Sequence, residues 1–338
     1  MKKYYLFGFL LAVTVLFLYH FYAANSAEKQ ITEAIRHLPE QTGLNWTVKH
    51  STIDIQPFSG DIRLSDISII QNRQIEQIET VWIDLSYWDF LNIYLRGIEK
   101  GLAQLESGKV SLKNISYLDR STLREIKVDS SHLAYRGNFL DLLRMAVTQR
   151  ASTINHSLEG WNYGVRLSFP ATPVGRWRID SLRAESQLPP GTTRLLVSGT
   201  NQLTASSLYW TPPRELQDRY RFLFKGFGFD PSRIPVDQVS LLYRHEADSN
   251  ALELQQASVT TDLFKAEARG EILIEELGTG QAKFDNMKLR IYDFSPGFKN
   301  FMDNLEILLN KRIRLVDGEL NYQIEGTFRD PKFISITN

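Results

Sequence analysis

The sequence predicts a mainly β protein, with an N-terminal single transmembrane helix followed by a large curved antiparallel β-sheet. The sheet forms a groove or a sandwich and carries a few short capping helices. Three observations lead there. Residues 4–24 (YYLFGFLLAVTVLFLYHFYAA) are an almost continuous apolar run. From residue 44 onward apolar residues recur with a period of two, which marks strands with one apolar face. No strand pattern alternates regularly with helix-length segments, so a doubly wound parallel sheet is not expected.

The first element is the anchor, residues 1–27. Lys2 and Lys3 precede the apolar run, and no charged residue follows before Glu28. At helical rise the run covers about 30 Å, the thickness of a bilayer core. The positive-inside rule then puts the short N-terminus in the cytoplasm and the rest of the chain outside it. The competing reading is a cleaved signal peptide with Ala24-Asn25-Ser26 as its small-x-small site. Such segments have apolar cores of about 7–15 residues, shorter than this one. His20, between Tyr19 and Phe21, reads as part of an interfacial aromatic belt. In residues 28–43, Ile31, Ala34, Ile35 and Leu38 fall on one helical stripe that would close the end of the following core.

Residues 44–338 form the β-rich domain, with an internal break near 138–158. Alternation is clearest at Trp46 and Val48, at Ile53 and Ile55, over Val81–Leu85, and five times running over Trp161–Phe169. Tyr220, Phe222 and Phe224 predict a further strand, as do Leu320, Tyr322 and Ile324. Turn signals separate these segments at Pro57–Gly60, Pro189–Gly191, Pro212-Pro213, Gly278–Gly280 and Asp330-Pro331. Three short helices are predicted. One covers Trp88–Tyr94, one is capped by Asn138, and one opens on Ser295-Pro296 as N-cap and first helical residue.

A repeat runs through the domain. GDIRLSDISI starts at Gly60, GKVSLKNISY at Gly108 and GQAKFDNMKL at Gly280, with GRWRIDSLRA at Gly175 a weaker fourth. The spacing is irregular, so this is a recurring hairpin element and not a solenoid. Within each copy the apolar parity slips by one at Asp66, Asn114 or Asn286, with Ser181 in the fourth. The slip would turn half of the strand outward unless a bulge or tight bend absorbs it. Asp and Asn tolerate the left-handed backbone that such a bend needs.

Chemistry is sparse. The 39 Lys+Arg against 39 Asp+Glu give zero net charge, which argues against nucleic acid as a partner. The absence of cysteine excludes disulfides, thiolate metal sites and cysteine nucleophiles. No metal-spaced histidine pair, nucleophile elbow or phosphate loop occurs, so no catalytic residue, metal ligand or cofactor is expected. A pair of carboxylates assembled by the fold would need no sequence signature, and this keeps an enzyme acting on envelope glycans as a third reading.

The basic start, the single span, the amphipathic helix and then TGLNWTVKHSTIDIQPFSGDIRLSDISI resemble the opening of the AsmA-like proteins. IDLSYWDFLNIYLRG with GKVSLKNISY continues the likeness, and GELNYQIEGTFRDPKFISI is similar to the family's closing stretch. The ending is also similar to the related accessory protein N of type II secretion. The resemblance covers residues 1–117 and 313–336. It implies a bacterial inner-membrane protein, cytoplasmic at its N-terminus and periplasmic in bulk, whose curved sheet holds an apolar trough. The implied partners are phospholipid or another apolar envelope cargo, the membrane through residues 4–24, and an envelope protein. By that analogy Ile62, Leu64, Val110, Leu112, Ile179 and Phe284 face the cargo. Equally, these residues would be plain core in a closed β-sandwich, and the chain a structural accessory of an envelope machine. Some 18–20 strands at about 4.8 Å spacing would span roughly 85–95 Å.

Overall fold

The structure, a computed structural model, describes residues 14–15, 19, 22–33, 35–36, 46–71, 73–148, 150–169, 175–193, 198–219, 221–226, 230, 232–246, 249–274, 282–309, 313, 315–327 and 330–336. The predicted span lies largely outside these residues. Among them, no helix is long and apolar enough to cross a membrane.

The strands are β1 (Trp46–Lys49), β2 (Thr52–Gln56), β3 (Asp61–Gln71), β4 (Gln74–Asp84), β5 (Ser107–Asp119), β6 (Arg124–Arg136), β7 (His156–Phe169) and β8 (Gly175–Leu188). They continue as β9 (Gly199–Thr211), β10 (Ile234–His245), β11 (Ala251–Thr260), β12 (Lys265–Ile274), β13 (Ala282–Tyr292), β14 (Leu320–Thr327) and β15 (Asp330–Ser335). All belong to one 15-stranded sheet in which β1 and β2 share β3 and every later strand pairs with its sequence neighbours. The pairings are antiparallel throughout. The expected large antiparallel sheet is therefore present, its described strands joined in one continuous ladder. Its strands run to 14 residues, so fewer are made than expected, and 15 strands span about 70 Å at the usual spacing.

Helices join the strands at both ends. Helix α1 covers residues 22–33 and continues at 35–36. At one end, α2 (Tyr87–Arg96) and α3 (Ile98–Leu102) join β4 to β5, and α4 (Phe139–Thr148) joins β6 to β7. At the other, α5 (Arg214–Arg219) and α6 (Arg221–Gly226) join β9 to β10, and α7 (Pro296–Leu309) joins β13 to β14. The N-caps at Asn138 and Ser295 are as the sequence suggests, and Ser86 adds one that it did not name. The side-chain oxygens of Ser86, Asn138 and Ser295 accept from the backbone N–H of Asp89, Asp141 and Phe298 at 3.1, 2.9 and 3.2 Å, which satisfies donors that a helix start leaves unpaired. Residues 221–226, predicted as strand through Phe222 and Phe224, are instead α6. The Pro212-Pro213 pair ends β9, and two consecutive short helices then span the gap to β10.

The parity slip is real and wider than the repeat showed. Asp66, Asn114 and Asn286 have φ of +52°, +49° and +46°. Ser181 is not left-handed, but Gly164 and Ser207 on the two flanking strands are, at +63° and +54°. The registers place Asp66, Glu79, Asn114, Asp129, Gly164, Asp180, Ser207 and Asp237 on one continuous line across β3–β10. No extra residue is inserted there, because both strands of each pair slip at the same level. Each repeat copy is thus one continuous strand with a kink, not a hairpin by itself. The slip also corrects the reading of Trp161–Phe169. Gly164 turns Val165 and Leu167 onto the apolar face, while Trp161 and Tyr163 share the opposite one with Arg183 and Ser181.

Candidate functional site

One face of the sheet is apolar across its full width. Ile62, Ile83, Val110, Leu133, Gly160, Ala184, Leu203, Leu241, Ala257, Ala268, Leu289 and Tyr322 form one cross-strand row. A parallel row begins at Leu64, Val81 and Leu112, is interrupted by Ser131 and Asn162, and ends at Ala266, Ile291 and Leu320. Beyond the slip line, Ile67, Ile78, Ile115 and Val128 continue the same side. The opposite face alternates with it and is polar. The row from Arg63 through Trp82, Ser111, His132, Trp161 and Arg183 to Glu267 and Arg290 carries exposed ion pairs such as Arg183–Glu159 at 2.6 Å. Such exposed pairs contribute little to stability.

The two margins of the apolar face are covered. At the β2–β4 side, Ile53, Ile55, Ile62 and Leu64 are buried with Ala27, Leu85 and Phe90, and Ile31 and Ile35 of α1 pack against them. The Tyr19 ring lies 6.0 Å from Phe58 in the β2–β3 turn, so α1 enters at the α2 end of the sheet. At the other side, Met302 and Phe298 of α7 pack on Ile291, Leu320 and Tyr322. Between these covers Val110, Leu112, Ile115, Leu182, Leu203, Val239 and Leu241 are only half-buried, and Leu133 is exposed.

All six residues predicted to face cargo lie on this one side, but in three settings. Ile62 and Leu64 are in the closed margin under α1 and α2. Val110 and Leu112 are half-buried beside it. Ile179 is buried in a central cluster with Val165, Ala205 and Leu208, against which Trp177, Leu182 and Val239 pack. Phe284 is half-buried opposite Ile272 near the end of β13.

No sequence motif marks the polar groups on this face. Ser186 and Asn201 are fully buried and share a 2.6 Å hydrogen bond. Beside them Asp141, Ser152 and His156 cluster at the start of β7. His156 Nε2 lies 3.0 Å from Asp141 Oδ2 and 2.9 Å from Ser152 Oγ, and Ser152 Oγ also donates to Asp141 at 2.7 Å. A nucleophile relay needs serine and aspartate on opposite ring nitrogens; here both sit on one. Burial raises the Asp141 carboxyl, but the bonds from Ser152, His156 and the Thr153 N–H hold it below the usual carboxylate range. The cluster clamps α4 to β7, and Ser152 exchanges backbone bonds with Gly191 and Thr192 of the β8–β9 connection. Among the described residues no group of His, Asp or Glu is arranged to hold a metal.

No family model matches the chain, and no curated protein matches it significantly.

Proposed function

We propose that the protein is a membrane-anchored, extracytoplasmic lipid carrier of the AsmA-like kind, with the uncovered middle of the apolar face as its cargo site. The observation that carries this reading is the half-buried state of Val110, Leu112, Leu203, Val239 and Leu241 between two helix-covered margins. A dry sandwich core would bury such rows to a few per cent; here they are left to a ligand. The central cluster supports a concave face. Val165 and Leu208 are 3% and 4% exposed, and the described hydrophobic side chains clustered with them all come from strands. A flat sheet does not shield its own side chains so well, and sheets of more than about ten strands curl. Acyl chains would bind by burial, at about 0.8 kcal/mol per CH₂.

The test keeps the full chain in its membrane. A photoreactive amino acid at Leu112 or Leu203 crosslinks to labelled phospholipid, whereas the same group at Ser111 or Thr204, one residue along and on the polar face, does not. Equal or absent crosslinking at both faces overturns the reading.

A structural accessory is the second reading, and it rests on β15. This edge strand is exposed along its whole length, with Phe333 56% and Ile334 47% open, and it offers a free row of backbone groups to a partner strand. Loss of a protein partner, with lipid crosslinking intact, on deleting residues 330–336 would favour that role.

A further inference from the structure

The polar face gathers cations at the α5 end of β6–β9. Lys127, Arg166 and Arg178 stand directly opposite one another on β6, β7 and β8, and Tyr209 on β9 ends their row. In the next row toward the strand ends, Glu125, Ser168, Arg176 and Thr211 are paired in the same order. Arg233, just ahead of β10, lays its guanidinium 3.9 Å over the Tyr209 ring, and this holds a further positive charge on the face. Five cations thus share two neighbouring rows of four strands, an area of about 14 by 7 Å. They line a cleft of about 750 Å³.

Like charges directly opposite on neighbouring strands destabilise a sheet, and a chain of zero net charge has no surplus of cations to place. Carboxylates offset part of the repulsion. Arg166 pairs with Asp129, Lys127 with Glu125 at 2.6 Å, and Arg178 Nε lies 3.6 Å from Asp180. Among the described residues Arg176 and Arg233 have no carboxylate partner. Five cations against three carboxylates leave the cleft with two positive charges. The paired cations are about half exposed or more, so each can turn from its carboxylate to a ligand at little cost.

We infer that this cleft binds an anion carrying two phosphate groups close together, as in a diphosphate. The inference stands apart from the lipid-carrier reading, because Leu167, Trp177 and the apolar rows lie on the other side of the sheet. Charge complementarity requires an anion. A planar carboxylate is matched by one guanidinium fork in its own plane. A tetrahedral phosphate accepts from several directions, which suits cations that arrive from four strands. The three opposed cations cover two strand spacings, about 10 Å, more than a single phosphate bridges. A soluble diphosphate and a phosphorylated lipid headgroup share this chemistry.

The test is calorimetric titration of the full chain, held in phosphatidylcholine nanodiscs, with inorganic pyrophosphate and separately with inorganic phosphate. Pyrophosphate binds one to one and about tenfold tighter than phosphate, the size of one charged hydrogen bond. Arg176→Gln and Arg178→Gln each weaken it about tenfold and leave the melting temperature level, since both side chains are exposed. Asp180→Asn, which frees Arg178, strengthens it about threefold. Arg183→Gln is the control: it lies on the same face but is held by Glu159 and Glu185 at 2.6 and 2.8 Å, and it leaves affinity unchanged. No saturable binding of pyrophosphate, or equal weakening by Arg183→Gln, overturns the site; lipid crosslinking at Leu112 is unaffected by either result. Vesicles bearing phosphatidic acid then separate the sources. Competition with pyrophosphate puts the phosphates on a lipid headgroup, and lack of competition puts them on a soluble molecule, the site standing in both cases.

Discussion

Asn114 sits at φ +49° in the middle of β5, and its side-chain amide donates to the Glu79 carboxylate on the neighbouring strand. Left-handed backbone costs most residues about 1–2 kcal/mol, and Asn and Gly much less. Asn114→Val is therefore expected to lose about 2 kcal/mol in urea unfolding, and Asn114→Gly distinctly less. Gly108, the first residue of the same motif, has a different reason. A Cβ there would sit 2.7 Å from the Tyr135 ring, which is 3% exposed. Gly108→Ala should cost about 1–3 kcal/mol through overpacking, and pairing it with Tyr135→Leu should recover part of the loss. At the β5–β6 turn the Ser121 and Thr122 hydroxyls and the Ser121 N–H hold the Asp119 carboxyl down at about 2. The folded value lies below the unfolded one of about 3.9. Its stabilisation is therefore complete above about pH 4 and lost as pH falls from there toward 2. Asp119→Asn should flatten that limb of the stability–pH curve. At this scale the motif Asp and Asn residues were legible because their type states the backbone they need. Gly164 and Ser207 were not, because glycine and serine are common and only the neighbouring strands show that they lie on the same line.

Elements were read more easily than their facing. Two capped helices were visible as Asn138 and Ser295 ahead of apolar stripes, and Asn138→Ala should cost about 1 kcal/mol in the same unfolding assay. The strand predicted through Phe222 and Phe224 failed because the proline pair ends β9 and residues 221–226 turn into α6. The five-fold alternation of Trp161–Phe169 misled for another reason. An alternating pattern with tryptophan and tyrosine on the polar face looks the same as one without a slip. Arg183 lies 5.9 Å over the Trp161 ring on that polar face, which gives the aromatic residue a partner outside the core.

For the whole molecule, the separation of covered and uncovered apolar surface makes the clearest claim. Ile62, 7% exposed beneath α1 and α2, belongs to the fold; Val110, one pairing step beyond its neighbour Ile83, belongs to the proposed site. Ile62→Asp should unfold the protein, since an unpaired carboxylate has no compensation there. Val110→Asp should leave the circular dichroism and most of the melting temperature intact and abolish lipid crosslinking. If the two variants behaved alike, the face would be one continuous core. The buried Ala23 and Ala27 bear on how the domain should be handled. Cutting the chain at residue 28 would strip Ala24 and Ala27 from the closed margin, so the first turns of α1 are part of the domain's packing. The amphipathic sheet was legible in the sequence because alternation survives in any single strand. The row that joins His156 to His245 was not, because only three successive registers bring the two together.

The line of slips from Asp66 to Asp237 also governs how the sheet can assemble. In an ordinary ladder a strand displaced by two residues still presents its apolar side inward, so near-identical strands such as β3 and β5 would tolerate wrong alignments. Here a two-residue displacement moves the kink away from its neighbours and reverses every side chain caught between the old and new levels. The kinks work like the notches of a key. Each of eight strands can seat in one alignment only, and a chain built from look-alike segments is kept from pairing with itself out of step.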